Sequence, residues 1–94
     1  MNRLVLTSKF ERAYRKFVRR DKRLKQRIDE ALQLLEVDAF TSKLGTHKLG
    51  GQLHGAWACS CGYDCRIVFS VEHDNETNET IILLINIGTH DEVY

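Results

Sequence analysis

The sequence contains no proline, so nothing in its 94 residues supplies a Pro-rich linker or a polyproline segment that would divide it. It also lacks any apolar run near the ~18 residues that a membrane-spanning helix needs. The opening stretch, MNRLVLTSKFER, has no apolar core of the kind a secretory leader requires. A cytoplasmic protein with no membrane partner is the expectation. Cysteine is scarce, and Cys59, Cys61 and Cys65 all fall within the one stretch CSCGYDC. A structural zinc site wants four ligands, commonly from CxxC pairs, and none occurs here; a fourth ligand would have to come from His47, His54 or His90. We therefore expect neither metal nor cofactor. In a reducing compartment the thiols read as small buried hydrophobes rather than as a disulfide.

Apolar residues at 43% and charged residues at 29% fit one compact domain over residues 1–94 with a modest core. The net charge of +1 conceals a division. Eleven basic residues stand against two acidic ones between Arg3 and Arg27, a balance of +9, so the remainder carries −8. One-signed charge of that size suits a polyanion or an acidic partner protein, although exposed helix faces are often merely solvated.

Apolar spacing orders the chain. Asn2–Thr7 reads as a short strand, and Ser8 with Glu11 has the spacing of a capping box. Phe10, Ala13, Tyr14, Phe17 and Val18 then form one helical stripe, which reads as core rather than as a base-stacking platform. Asp21 can cap a second helix whose stripe is Leu24, Ile28, Ala31, Leu32 and Leu35. From Val37 to Gly51 periodicity vanishes, which predicts a long loop. QLHGAWAC and YDCRIVFSVE alternate as strands, TIILLINIG reads as a strand buried on both faces, and THDEVY reads as a polar tail. The expected fold is α+β, in the order β-α-α-β-β-β: an antiparallel sheet with an N-terminal helical hairpin packed on one side.

On the YDCRIVF strand, Cys65, Ile67, Phe69 and Val71 alternate toward the core, which turns Asp64, Arg66, Val68 and Ser70 the other way. An Asp beside an Arg is most often a plain ion pair. Here it has company: His47 and Lys48 in the glycine-rich loop, His54 on the first meander strand, and His90 and Tyr94 after the last strand. Taken singly, His54 reads as a surface residue, Tyr94 as a seal on the sheet edge and His47 as a turn cap. Only their convergence on one groove would make them a site.

The HKLxGxLxG-like segment at His47–Gly55, the YDCRIVFS strand and the ending IGTHDEVY resemble the RelE/ParE superfamily of bacterial toxin–antitoxin toxins, and within it the YafQ-like messenger-RNA interferases. The resemblance covers essentially the whole chain. It implies a RelE-like fold and a toxin held inactive by a cognate antitoxin. It also implies an endoribonuclease that cuts messenger RNA, typically in the ribosomal A site, and thereby inhibits translation. By the resemblance, the catalytic residues fall on His47, Asp64, Arg66, His90 and Tyr94, with Lys43, Lys48 and His54 contacting substrate. Where the YafQ-like branch has a further histidine, four residues before the aspartate, this chain has Ser60.

Metal-free RNA cleavage uses the 2′-hydroxyl as nucleophile, so it needs a base for that hydroxyl, an acid for the 5′-oxygen and a cation for the phosphorane. Asp64 or His47 would be the base and His90 the acid. Arg66 and Lys48 would lie on the phosphate, and Tyr94 would stack on or orient a base. Two other readings stay open. ParE-like members of the fold inhibit DNA gyrase by binding, and the Ser60 departure admits an inactive binding module. The basic hairpin would seat an acidic or amphipathic antitoxin segment, or ribosomal RNA when free.

Overall fold

The computed structural model describes residues 1–94. Strand β1 (Arg3–Leu6) leads into helices α1 (Ser8–Arg20) and α2 (Lys22–Val37). A two-residue strand β2 (His47–Lys48) then precedes the meander of β3 (Trp57–Gly62), β4 (Cys65–Asp74) and β5 (Glu79–Gly88), and the chain closes with a short helix α3 (His90–Val93). The sheet runs β1-β5-β4-β3-β2, antiparallel throughout except that β1 lies parallel to β5. Because β1 and β2 lie at opposite edges, the helical hairpin between them crosses one face. The expected α+β order holds, with β2 and α3 as additions.

Local chemistry explains the helix boundaries. Thr7, rather than Ser8, caps α1: its Oγ1 accepts from the Phe10 N–H at 3.1 Å and donates to the Leu84 carbonyl at 2.9 Å. The hydroxyl thus joins helix to sheet, and Glu11 takes no part in the cap. Asp21 caps α2 as its sequence position suggests, accepting from the Arg23 N–H at 3.0 Å. The two stripes converge as read, with Phe10, Phe17, Ile28, Ala31 and Leu35 buried against Ile67, Phe69, Ile82 and Leu84 of the sheet. The basic residues Arg12, Arg15, Arg19, Lys22, Arg23 and Arg27 all remain exposed.

The sheet's second face is covered more thinly, by Val93 of α3 packing on Ala56 and Val68 with Leu49 and Ile85 beside them. Ile81, Leu83 and Ile85 of β5 are consequently only half-buried, so this strand is enclosed fully on the helical side alone.

Three local expectations need correction. The Val37–Gly51 stretch is not one structureless loop, since it contains a 3₁₀ turn at Ser42–Leu44 and the start of another at Gly51–Leu53 around β2. His54 is not on a strand: it ends that second turn, exposed, three residues before β3 begins. Cys61 and Cys65 form a disulfide, with Cα atoms 5.0 Å apart. The register shift between Ser60 and Gly62, with Gly62 at φ 147°, turns both side chains to the core across the hairpin and within bridging range. Cys59 does behave as a buried hydrophobe, and burial pushes its thiol up to about 12.

Candidate functional site

Residues paired across an antiparallel ladder share a face, so the register sorts the candidate side chains. His47 pairs with Ala58, Ala58 with Val68, and Ser60 with Arg66, which places His47, Ser60 and Arg66 on the thinly covered face. Lys48 pairs with Trp57, which packs against the helical core, and its Nζ lies 5.4 Å from the Trp57 ring centroid. Lys48 therefore points to the opposite face from His47. Lys43 sits in the 3₁₀ turn beside Arg27, Glu30 and Leu34 of α2, not beside the histidines. His54, exposed in its turn, makes no hydrogen bond through its side chain.

Helix α3 carries the rest of the site over this face. It replaces the expected polar tail, and Thr-His-Asp-Glu forms a capping box: Thr89 Oγ1 accepts from the Glu92 N–H at 3.3 Å, and Glu92 Oε1 accepts from the Thr89 N–H at 2.8 Å. Arg20 of α1 pairs with Glu92 at 3.3 Å, tying the short helix to the hairpin. Together the Thr89 N–H and Arg20 hold the Glu92 carboxyl below the usual glutamate range. Gly88 lets α3 lie close, because a Cβ there would stand 3.1 Å from the Glu92 Cβ.

Tyr94 stands between the two imidazoles. Its hydroxyl is 3.4 Å from His47 Nε2, and its ring meets His90 edge-on at 4.6 Å between centroids. His47 Nδ1 lies 3.2 Å from the Gly45 carbonyl, which can only accept, so in the neutral ring Nδ1 carries the proton and Nε2 presents its lone pair. The Tyr94 hydroxyl donates to that lone pair. Burial pushes the Tyr94 phenol up, against an opposing pull from Arg66, so it stays protonated at neutral pH. His47 and His90 are both exposed and open to a substrate.

Asp64 and Arg66 do not pair with each other. Asp64 Oδ1 accepts from the His90 backbone N–H at 3.0 Å, and so fastens the β3–β4 turn to the first turn of α3. Arg66 Nη1 lies among oxygens of its own hairpin: Cys65 O at 2.9 Å, Gly62 O at 3.2 Å, and Tyr63 O and Ser60 Oγ at 3.4 Å. No carboxylate neutralises it. One edge of the guanidinium is held, and the charge remains available to an anion. Ser60, hydrogen-bonded onward to the Gly62 carbonyl at 3.1 Å, takes part in holding it.

His47, His90 and Tyr94 are thus brought together directly, Asp64 joins them through the backbone, and Arg66 stands nearby on the same face; Lys43, Lys48 and His54 do not join them. Sequence reading missed Glu92 and Gly88, which place α3, and the capping-box spacing was the signal for the first.

Comparisons with known proteins agree with this fold. The chain is similar along 94% of its length to a YoeB/ParE toxin from Agrobacterium tumefaciens, covering 98% of that chain at TM-score 0.77 and 22% identity. It matches Escherichia coli YafQ over 100% of its length and 99% of that chain, at TM-score 0.78 and 10% identity. The toxin–antitoxin complex YoeB–YefM from Staphylococcus aureus contains a chain matched at TM-score 0.68 and 19% identity, with 96% of this chain and 98% of that one covered. At such identities these structures share the fold. No curated protein sequence matches the chain. The model of the bacterial toxin YafQ of type II toxin–antitoxin systems matches residues 2–94, so the chain belongs to the YafQ family of these toxins.

Proposed function

We propose that this toxin is an endoribonuclease that cuts messenger RNA on the ribosome, with the RNA 2′-hydroxyl as the attacking group. The observation that carries the reading is the His47–Tyr94–His90 cluster, two exposed imidazoles with one tyrosine between them. His47, its Nε2 lone pair freed when the substrate displaces the Tyr94 hydroxyl, takes the 2′-hydroxyl proton, and His90 protonates the departing 5′-oxygen. Arg66 offsets the charge that builds on the phosphorane. Tyr94 orients the nucleotide. Asp64, bound to the His90 N–H, acts as a positioning residue rather than as the base.

The partner implied is an antitoxin, as in the YoeB–YefM complexes, which are toxin–antitoxin assemblies. An acidic or amphipathic antitoxin segment would lie on the exposed basic face of α1 and α2, the same face that would meet ribosomal RNA in the free toxin. No helix of the chain is long and apolar enough to cross a membrane.

The test adds the purified protein to translating ribosomes carrying a defined messenger and maps new 5′ ends by primer extension. Discrete ends inside the reading frame are expected, reduced ~10² to 10⁴-fold in His90→Ala or His47→Ala. An inert wild type would overturn the nuclease reading, and undiminished cleavage by both variants would remove the cluster from it.

A further inference from the structure

The groove beside Tyr94 has a chemistry of its own. It is an open groove of about 480 Å³, lined by Leu49, Gly50, Gln52, Leu53, Val93 and Tyr94. That size lies within the ~300–1,000 Å³ of small-ligand sites. Four of its six lining residues are apolar, no charged side chain lines it, and one amide, Gln52, stands exposed with its side chain unbonded to the rest of the protein. Tyr94 is shared with the histidine cluster, so the groove continues directly from the candidate site.

We propose that this groove seats an unpaired nucleobase of the RNA next to the scissile phosphate, and that the Gln52 amide reads its hydrogen-bonding edge; the proposal rests on the nuclease reading above. A groove without charged side chains suits a base and not a phosphate, which Arg66 is placed to receive. Leucine, valine and tyrosine side chains provide apolar and aromatic surface for the base's faces. A glutamine amide offers a donor beside an acceptor, the complement of a base edge that presents the reverse order.

The backbone is built to hold Gln52 at the rim. Gly51 has φ 62°, a left-handed conformation that a side chain would strain, and it starts the 3₁₀ turn Gly51–Leu53. Around Gly50 and Gly51 nothing approaches a would-be Cβ within 4 Å, so the approach from this side is open. Beneath, Leu49 N–H to Ala56 O at 3.0 Å and Ala56 N–H to Leu53 O at 2.9 Å pin the loop to the start of β3.

The experiment titrates isotope-labelled full-length protein with four 2′-O-methyl trinucleotides that differ only in the central base and cannot be cleaved, because the 2′-oxygen is blocked. One base should bind best by roughly 5- to 150-fold, the range for one bidentate amide contact. Its NMR shifts should fall on Leu49, Leu53 and the Gln52 side-chain amide. Gln52→Ala should erase the preference, and Gln52→Glu, which offers acceptors only, should move it toward a base presenting an amine. Equal binding of all four bases, shifts confined to α1 and α2, or a preference unchanged in Gln52→Ala would overturn the proposal. An apolar peptide seated in the groove with no nucleotide response would do the same. Primer extension separates this from the parent reading. Cleavage whose base preference ignores Gln52 removes the seat and leaves the nuclease; selective base binding without cleavage removes the nuclease and leaves the seat.

Discussion

Asp64 and His90, far apart in sequence, are joined by a single hydrogen bond of 3.0 Å from the His90 backbone N–H to the Asp64 carboxylate, so the tip of one hairpin holds the first turn of the closing helix. The aspartate thus meets His90 at the backbone rather than at the imidazole.

This geometry separates two variants. Asp64→Asn keeps an oxygen that can accept from the His90 N–H, and Asp64→Ala does not. If Asp64 positions α3, Asn should lose far less RNA cleavage than the ~10² to 10⁴-fold expected for removing an acid or base, while Ala should lose substantially more than Asn. Equal, large losses in both, measured in single-turnover cleavage, would make Asp64 the base after all.

Gly88 is a steric test of the same helix. In Gly88→Ala the new Cβ would stand 3.1 Å from Glu92 Cβ and Oε1 and 3.3 Å from Val93 Cγ1. Overpacking of this kind costs about 1–3 kcal/mol where neighbours cannot yield. A one-turn terminal helix can yield, so stability should fall toward the lower end while His90 and Tyr94 are displaced. We expect a small drop in Tm with a disproportionate loss of cleavage; unchanged cleavage would show that α3 placement does not matter.

Glu92 makes the helix acid-sensitive. Its folded pKa is depressed, chiefly by the Thr89 N–H, so its contribution is complete above the unfolded value of about 4.3 and is lost as pH falls through the lower folded value. At neutral pH α3 should be held, and acidification below about 4.3 should loosen it. Amide-proton NMR of Thr89 across pH 7 to 3 reads this directly, and Glu92→Gln should abolish the dependence. A midpoint at or above the ordinary glutamate value would contradict the assignment.

The cysteines should divide by reactivity. Cys59, buried and with its thiol pushed up to about 12, stays protonated and should resist Ellman's reagent until the protein unfolds. The Cys61–Cys65 bridge closes a short loop that contains Asp64. By the chain-entropy model, its reduction or the Cys61→Ser/Cys65→Ser pair should cost about 2 kcal/mol of stability. Because Asp64 is in that loop, the His90 amide should also lose exchange protection. Rapid labelling of folded protein at Cys59, or identical denaturant midpoints with and without the bridge, would refute these two expectations respectively.

What could be read from the sequence was local. The stripes Phe10–Val18 and Leu24–Leu35 had to become amphipathic helices because their spacing matches 3.6 residues per turn, and both bury as read. The Cys65–Val71 alternation likewise assigned its faces, since side chains on a strand alternate with period two. The split of basic and acidic residues, and the motif segments that resemble the YafQ-like toxins, were also plain in the sequence alone. Tertiary structure decided which of the singled-out residues meet. Adjacent His47 and Lys48 face opposite ways because pairing with β3 makes a strand of a stretch that read as loop. Tyr94 reached His47, 47 positions away, because the capping box turns the last residues back across the sheet over a glycine. Cys61 and Cys65 met because the ladder slips at the hairpin. Periodicity is carried by neighbouring residues and is therefore written in the sequence, whereas convergence depends on register and close approach between distant segments, which only the packed chain specifies.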